Sequence, residues 1–390
     1  MSSQVVIVGG GVIGSSIAYF LRLADPTVSV TVFERDPSYA KSSSALSAAS
    51  IRQQFSTPLS IQMSLYGIEF LRTIGERLDV DGSRPSIDLH EGGYLFLATP
   101  AGEATLRENH ALQQSLGANI DLLSPDGLKA KFPWLNVGDL AAGAYGVSGE
   151  GWFDGYGLVQ ALRKKAQALG ARYVAADVAG IGRDGRTVTH VETRDGERYA
   201  CDQLVNAAGA WARKLATMMG IDIPVYARRR SIFNVSSPAR LTNSPLLIDP
   251  SGVYFRPEGR TYITGTSPCA DNDPDDLPLD EVDHAIFDEI IWPTLAHRVP
   301  EFEALRVENC WSGYYEYNVF DHNAIIGHHP DIENCVFANG FSGHGLQQGP
   351  ATGRGVSELI LHGRYTTLDL SSLSWQRVLE KRPIVEKNVV

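Results

Sequence analysis

Gly9, Gly11 and Gly14 stand at GxGxxG spacing directly after the β-branched run 5–8, and they are the first residues in the chain equipped for chemistry. In such a pattern one glycine makes a tight turn, one lets backbone approach a pyrophosphate, and one lets helix and strand pack closely. The helical pattern that follows, 15–22, brings unpaired N–H groups and a positive dipole end to the same point, which suits a diphosphate. Glu34 closes a second apolar run about 20 residues past Gly14, where a carboxylate would hold a ribose hydroxyl. Strand, glycines, helix, strand and acid in that order say far more than a lone Gly-rich turn would.

Three further stretches carry suitable residue types. Residues 41–50 are small and hydroxyl-rich, so backbone can lie against a flat ligand while hydroxyls bond phosphate; Arg52, just beyond, is a candidate anion clamp. Residues 203–211 repeat the opening logic, a hydrophobic strand running into Ala207, Ala208 and Gly209 before a helix over 212–219. His322, His328 and His329 are metal ligands by type, but they fall in a strand-and-turn pattern, and no metal is expected. Cys201, Cys269, Cys310 and Cys335 show no CxxC spacing, so neither a metal site nor a disulfide framework is suggested and a reducing compartment is the default.

The elements that must position these groups alternate throughout. A helical pattern covers 57–74, a strand 90–98 and a helix 101–116, with a short capped helix near 124–133. A long amphipathic helix spans 156–169, followed by strands at 171–174, 178–181 and 187–193. Residues 222–318 read mainly as strands, at 231–235, 246–248, 253–256 and 261–264, interrupted by a helix over 279–291. A strand at 335–340 precedes a helix from Gln348 through Leu361, with Pro350 in its first turn. The chain enters its first strand by Val5, which leaves no room for a signal peptide, and no apolar run is long enough to span a membrane, so a cytoplasmic protein is expected. A net charge of −11, with no basic run longer than three residues such as Arg228-Arg229-Arg230, argues against nucleic acid as a partner.

The glycine stretch, Glu34, the 205–211 segment and Phe341-Ser342-Gly343-His344-Gly345-Leu346 together resemble the D-amino-acid oxidase superfamily of FAD-dependent oxidoreductases. Within it the chain is similar to the sarcosine oxidase and dimethylglycine dehydrogenase group, and to FAD-dependent oxidoreductase domain-containing proteins of the complex I assembly type with their bacterial relatives. The resemblance implies an α/β fold with a Rossmann-like FAD-binding lobe and a mixed-sheet α+β substrate lobe, interleaved in sequence. The FAD lobe would use 1–80, 147–220 and 321–390, the substrate lobe 81–146 and 221–320. FAD contacts would fall on Gly9, Gly11, Val12, Ile13 and Gly14, with Glu34 on the adenosine ribose and Arg35 beside it. Ser43, Ser44, Ser47, Ala48, Ala49 and Ser50 would follow the pyrophosphate and isoalloxazine face. Val178 would meet the adenine end, Ala208, Gly209 and Trp211 the middle, and Gly343, His344, Gly345, Leu346 and Gln347 the flavin pyrimidine.

The implied reaction is oxidation of a C–N bond by hydride transfer to flavin N5, giving an imine that hydrolyses. Charge left on flavin N1 and the C2 carbonyl would be met by the N-terminus of the helix near Gly349 and Pro350, with His344 adding a donor. The substrate nitrogen must be neutral, so an apolar aromatic pocket is expected; Trp311, Tyr314, Tyr315 and Tyr317, with Tyr254 and Arg256, are its candidate lining. Candidate catalytic residues are thus His344, Tyr254, Arg52, Tyr315 and Gln347.

Departures from the pattern sharpen this. No lysine stands on the strand aligned with 262–265, where related oxidases activate dioxygen, and Gln347 replaces their second lysine. Cys310 is offset from the flavin-linking cysteine, which aligns near Gly313, and no histidine occurs within 45–50. Non-covalent FAD, slow reaction with dioxygen, and a substrate carboxylate resting on Arg52 are therefore expected. The partners are a small amine or amino-acid substrate and an electron acceptor (dioxygen, a quinone or an electron-transfer protein), with a homo- or hetero-oligomer left open. A 2-hydroxy acid dehydrogenase on the same fold, and a flavoprotein subunit or assembly factor that mainly binds, are the alternatives.

Overall fold

In the computed structural model, residues 3–387 are described. The opening run forms the strand Gln4–Val8, hydrogen-bonded in parallel to Ser29–Glu34 on one side and Gln203–Asn206 on the other. A strand flanked on both edges and covered on both faces must be apolar at every position, which is why Val5 to Val8 is unbroken by polar residues. Cys335–Asn339 and Arg172–Ala175 extend this sheet in parallel, and Ile325–His328 closes one edge antiparallel. Three separated parts of the chain thus supply one six-stranded sheet. The helices Val12–Ala24, Gly155–Ala168 and Gly345–His362 pack into its core cluster.

An eight-stranded sheet is drawn from 94–146 and 225–318, in the order Arg306–Asn318, Val225–Ser236, Thr261–Gly265, Tyr254–Glu258, Leu246–Ile248, Tyr94–Ala98, Ala142–Gly146, Ile120–Leu123. All pairings are antiparallel except that of Leu246–Ile248 with Tyr94–Ala98. The fold is therefore mixed α/β, as the sequence implied. Among the described residues no helix is long and apolar enough to cross a membrane.

Two helices differ from expectation. Residues 279–284 do not form the first part of a helix; the helical run opens at Ala285 and passes through a π-helical turn, Phe287–Ile291, into Trp292–Arg298. The Asp283 carboxylate accepts the Ile286 N–H (3.3 Å), a side-chain bond that starts the helical run only after Asp283. The last long helix begins earlier than the proline suggested, at Gly345, with His344 as its N-cap residue. Pro350 then lies inside the helix and only forgoes the bond that its N–H would have made to the Leu346 carbonyl.

Candidate active site

One long cavity runs between the two sheets, from Glu34 and Arg35 at one end to Tyr254 and Tyr315 at the other. Every catalytic or FAD-contact residue named from sequence lines it except Gly14. Gly9 explains the motif's backbone: its φ is +105°, and a Cβ there would collide with the Ala207 carbonyl. Gly14 serves packing, since a Cβ on it would strike the Gly9 carbonyl. Gly11 has only Ser44 Oγ near the place of a Cβ, at 3.5 Å, so its open side belongs to the cavity.

The Glu34 carboxylate accepts the Gly10 N–H and the Asp36 N–H, both at 2.9 Å, and burial raises its pKa above the usual carboxylate value. Arg35 lies over the Trp211 ring at 3.6 Å, walling the same end. Ser42 caps the short helix Ser43–Leu46, which lays its hydroxyls beside the N-terminus of Val12–Ala24; Ser44 Oγ accepts the Val12 N–H at 3.3 Å. Ala208, Gly209 and Val178 complete the wall. A glycine-lined helix start, a carboxylate at the neighbouring strand end and a hydroxyl-rich seat between them form a cradle that fits the adenosine diphosphate half of FAD.

At the other end Arg52 is 5% exposed. Its guanidinium lies 3.2 Å from His344 Nε2 and 3.4 Å from the Tyr94 hydroxyl, over the faces of Phe55, Tyr94 and Phe96. No carboxylate pairs with it among the described residues. Glu150, whose charge acts on Arg52 without pairing with it, spends its oxygens on the Gln53 N–H and the Gln54 amide, and burial pushes its pKa up to about 7. Because guanidinium only donates, His344 Nε2 accepts, which leaves the ring proton on Nδ1. Burial, and then the Arg52 charge, hold the His344 pKa well below its ordinary value, so the ring is neutral.

The first-turn residues Gly345, Leu346 and Gln347 also line this end. Their N–H groups precede the first intrahelical bond, Gln348 N–H to the His344 carbonyl (3.1 Å), and supply donors at the positive end of an 18-residue helix. The Gln347 side chain does not reach into the cavity for a ligand; its Oε1 accepts the Arg52 main-chain N–H at 3.0 Å. Tyr254 and Tyr315 both line this end, and burial raises both phenol pKa values.

Some expected lining is absent. Trp311 donates to the Leu46 carbonyl (2.9 Å), Tyr317 is bound to His322 (2.8 Å), and Arg256 is spent on the Ala48 carbonyl and Glu258. The strand Arg306–Asn318 sends alternate side chains to opposite faces; Gly313, Tyr314, Tyr315 and Glu316 line the cavity, while Trp311 and Tyr317 share the face of Tyr315 but lie beyond the cavity's reach along the strand. Cys310, an odd number of residues from Gly313, packs against the apolar cluster on the other face, and no cysteine lines the cavity. That placement suits FAD held without a covalent bond. Sequence reasoning missed Tyr94, Arg230, Glu316, Lys41 and Lys214, all of which line the cavity. Only the pairing of Arg229 and Arg230 with Tyr314 and Gly313 across two strands brings Arg230 there, a register not readable from either strand alone.

The family model described as DAO, FAD dependent oxidoreductase, matches residues 4–359. FAD-dependent oxidoreductase domain-containing protein 1 of Xenopus laevis is 44% identical, over 100% of this chain and 85% of its own. Among solved structures, L-proline dehydrogenase from P. horikoshii superposes with a TM-score of 0.87 at 25% identity, covering 98% of this chain and 99% of its own. Glycine oxidase from Geobacillus kaustophilus superposes with a TM-score of 0.81, again at 25% identity, covering 96% and 98%.

Proposed function

This chain belongs to the DAO family of FAD-dependent oxidoreductases, and on that premise we propose that it oxidises the C–N bond of a small amino acid or secondary amine to an imine that hydrolyses. The observation that carries the reading is Arg52: a buried cation with no acidic partner, facing the cavity where a substrate carboxylate can supply the missing charge. FAD, when bound, supplies the hydride acceptor. The chain's own residues do the rest. Arg52 fixes the carboxylate and so aims the neighbouring carbon. Tyr94, Tyr254 and Tyr315 exclude water. Burial and the Arg52 charge both favour the neutral form of the substrate nitrogen, the form able to release hydride. With FAD bound, the N–H groups of Gly345, Leu346 and Gln347 would meet the negative charge that reduction leaves, and loss of one such donor costs about 2.7–4 kcal/mol in comparable sites.

The neighbours named as a proline dehydrogenase and a glycine oxidase act on compounds of this class. Oxidation of a 2-hydroxy acid needs a base for the hydroxyl proton, and His344, neutral with Nε2 turned to Arg52, is poorly placed for it. The lysines lining the cavity, Lys41 and Lys214, accompany its adenosine end, while the cations at the other end are arginines; we therefore assign electrons to an acceptor other than dioxygen. The four cysteines are free thiols, which accords with a reducing compartment such as the cytoplasm.

Anaerobic mixing of the FAD-loaded protein with N-methyl amino acids, D-amino acids, L-proline, opines and 2-hydroxy acids tests the reading. Rapid loss of the oxidised-flavin absorbance with one amine class is expected. Bleaching by hydroxy acids alone, or by nothing in the panel, refutes it; the second outcome favours a binding or subunit role. Rapid peroxide formation at air saturation would overturn the assignment of the acceptor.

A further inference from the structure

The basic run Arg228-Arg229-Arg230 is tied residue by residue to a single acidic segment, 267–284. Arg230 grips Asp273 through two bonds of 2.7 and 2.8 Å, and both side chains are nearly fully buried. Arg228 reaches the same Asp273 at 3.1 Å and Asp275 at 2.6 Å. Arg229 donates to the Pro278 carbonyl (3.0 Å) and lies 3.7 Å from Glu281. Main-chain ties complete the seat: the Asp276 N–H donates to the Ala227 carbonyl (2.8 Å), and the Tyr314 hydroxyl to that of Leu277 (2.6 Å). The segment is therefore a strap laid across two strands and held mainly by polar contacts, with Val282 near its end packed against the apolar cluster.

Behind the strap lies a second cavity of about 220 Å³, lined by Arg229, Asp273, Leu277 and Asp283 among others. It meets the main cavity at Ser231 and Thr266, which line both, beside Arg230, which lines the main one. Two small hydroxyl side chains and one ion pair thus stand between the second cavity and the Tyr254–Tyr315 end. Segments held this way open at lower free energy than apolar core, because opening exposes little hydrophobic surface. A desolvated pair such as Arg230–Asp273 nevertheless gives the closed state a definite catch.

We propose that residues 267–284 gate the substrate end of the cavity, with the second cavity as the passage and Arg230–Asp273 as the latch. That this end receives substrate rests on the function proposed above. The gate itself is tested without any amine. Arg228 and Asp275 face one another as an antiparallel bridge, a separation that a disulfide spans with little adjustment. In the FAD-loaded Arg228→Cys/Asp275→Cys variant, made with Cys269→Ser to remove the exposed native thiol, diamide closes the strap and a phosphine reopens it.

The readouts are acrylamide quenching of bound-FAD fluorescence and the rate of flavin reduction by dithionite. The oxidised form is expected to be reduced at least about tenfold more slowly than its own reduced-thiol form and to be quenched less, an effect equivalent to a large shift in the open population. Asp273→Asn alone is expected to raise quenching above that of the parent. Equal quenching and equal reduction rates with the strap locked and unlocked would overturn the gate. Failure of the disulfide to form in folded, yellow protein would show that the strap is not seated on the strand and would overturn it too. An Asp273→Asn variant with parental quenching would remove the latch. Silence of the amine panel would leave all these results standing.

Discussion

Replacing Arg52 by Met separates a functional cation from a structural one, because the two roles predict opposite changes in stability. Arg52 is buried, its Nε has no hydrogen-bond partner, and no acid is paired with it. Its guanidinium touches only the His344 ring and the Tyr94 hydroxyl by bonds of 3.2 and 3.4 Å, amid the rings of Phe55, Tyr94 and Phe96. Methionine is long enough to fill that aromatic slot, and it leaves the main-chain bond to Gln347 intact. Catalysis loses a charge-assisted bond to the substrate carboxylate, about 1.5–3 kcal/mol, so kcat/KM for a carboxylate-bearing amine should fall roughly 10- to 150-fold. Folding, by contrast, is relieved of an uncompensated buried charge, and the melting temperature of the cofactor-free protein should stay level or rise. No new titration above pH 6.5 is expected from His344: the Arg52 charge is only the second cause of its lowered pKa, and burial, the first, remains. Anaerobic flavin bleaching gives the kinetic parameter and thermal melts give the stability. An Arg52→Met protein that melts several degrees lower with unchanged kcat/KM would show that the arginine serves the fold and would refute the reasoning.

Gly14→Ala places a Cβ against the Gly9 carbonyl, where main chain cannot yield, so the variant should emerge from gel filtration without yellow colour, in contrast to the parent. Glu150 is pushed up to about 7 when folded, from 4.5, so the folded state holds the extra proton and stability is lost as pH rises through that window. The shift corresponds to about 3 kcal/mol; Glu150→Gln should flatten the denaturation midpoint between pH 5 and about 8, and an unchanged slope would clear Glu150 of the effect. Asp321→Asn breaks the fully buried pair with Arg377 (2.9 Å) and should cost about 3–5 kcal/mol in urea denaturation. Acid precipitation should leave FAD in the supernatant, since no cysteine faces the cavity; a yellow pellet would contradict that.

What was legible in the sequence was whatever main-chain geometry demands. Gly9 must adopt a positive φ and Gly14 must admit a carbonyl, so those positions admit essentially one residue type and announce themselves without a partner in view. The same holds for the small residues 43–50 and 207–209, whose use is to let backbone come close. The family resemblance carried the order of the segments further than periodicity alone, because three pieces of one sheet lie far apart in the chain.

Side-chain roles in the second sheet were less legible, for a physical reason. In a strand such as Arg306–Asn318 the face a residue takes depends on a period of two and on the register against Val225–Ser236, and a one-residue error exchanges the faces. Trp311 and Tyr317 share the parity of Tyr315, so period alone does not separate them; how far along the strand the cavity reaches does, and only the fold shows that. The strap shows the same limit more sharply. Read alone, Arg228-Arg229-Arg230 is a basic run and residues 271–283 are an acidic one, each an ordinary solvated surface by composition. Only when the chain folds does Asp273 come between Arg228 and Arg230 at the wall of the cavity, turning two surface patterns into one desolvated contact. Charge in this protein acquires function through what buries it, and burial is a property of the register, not of the residue.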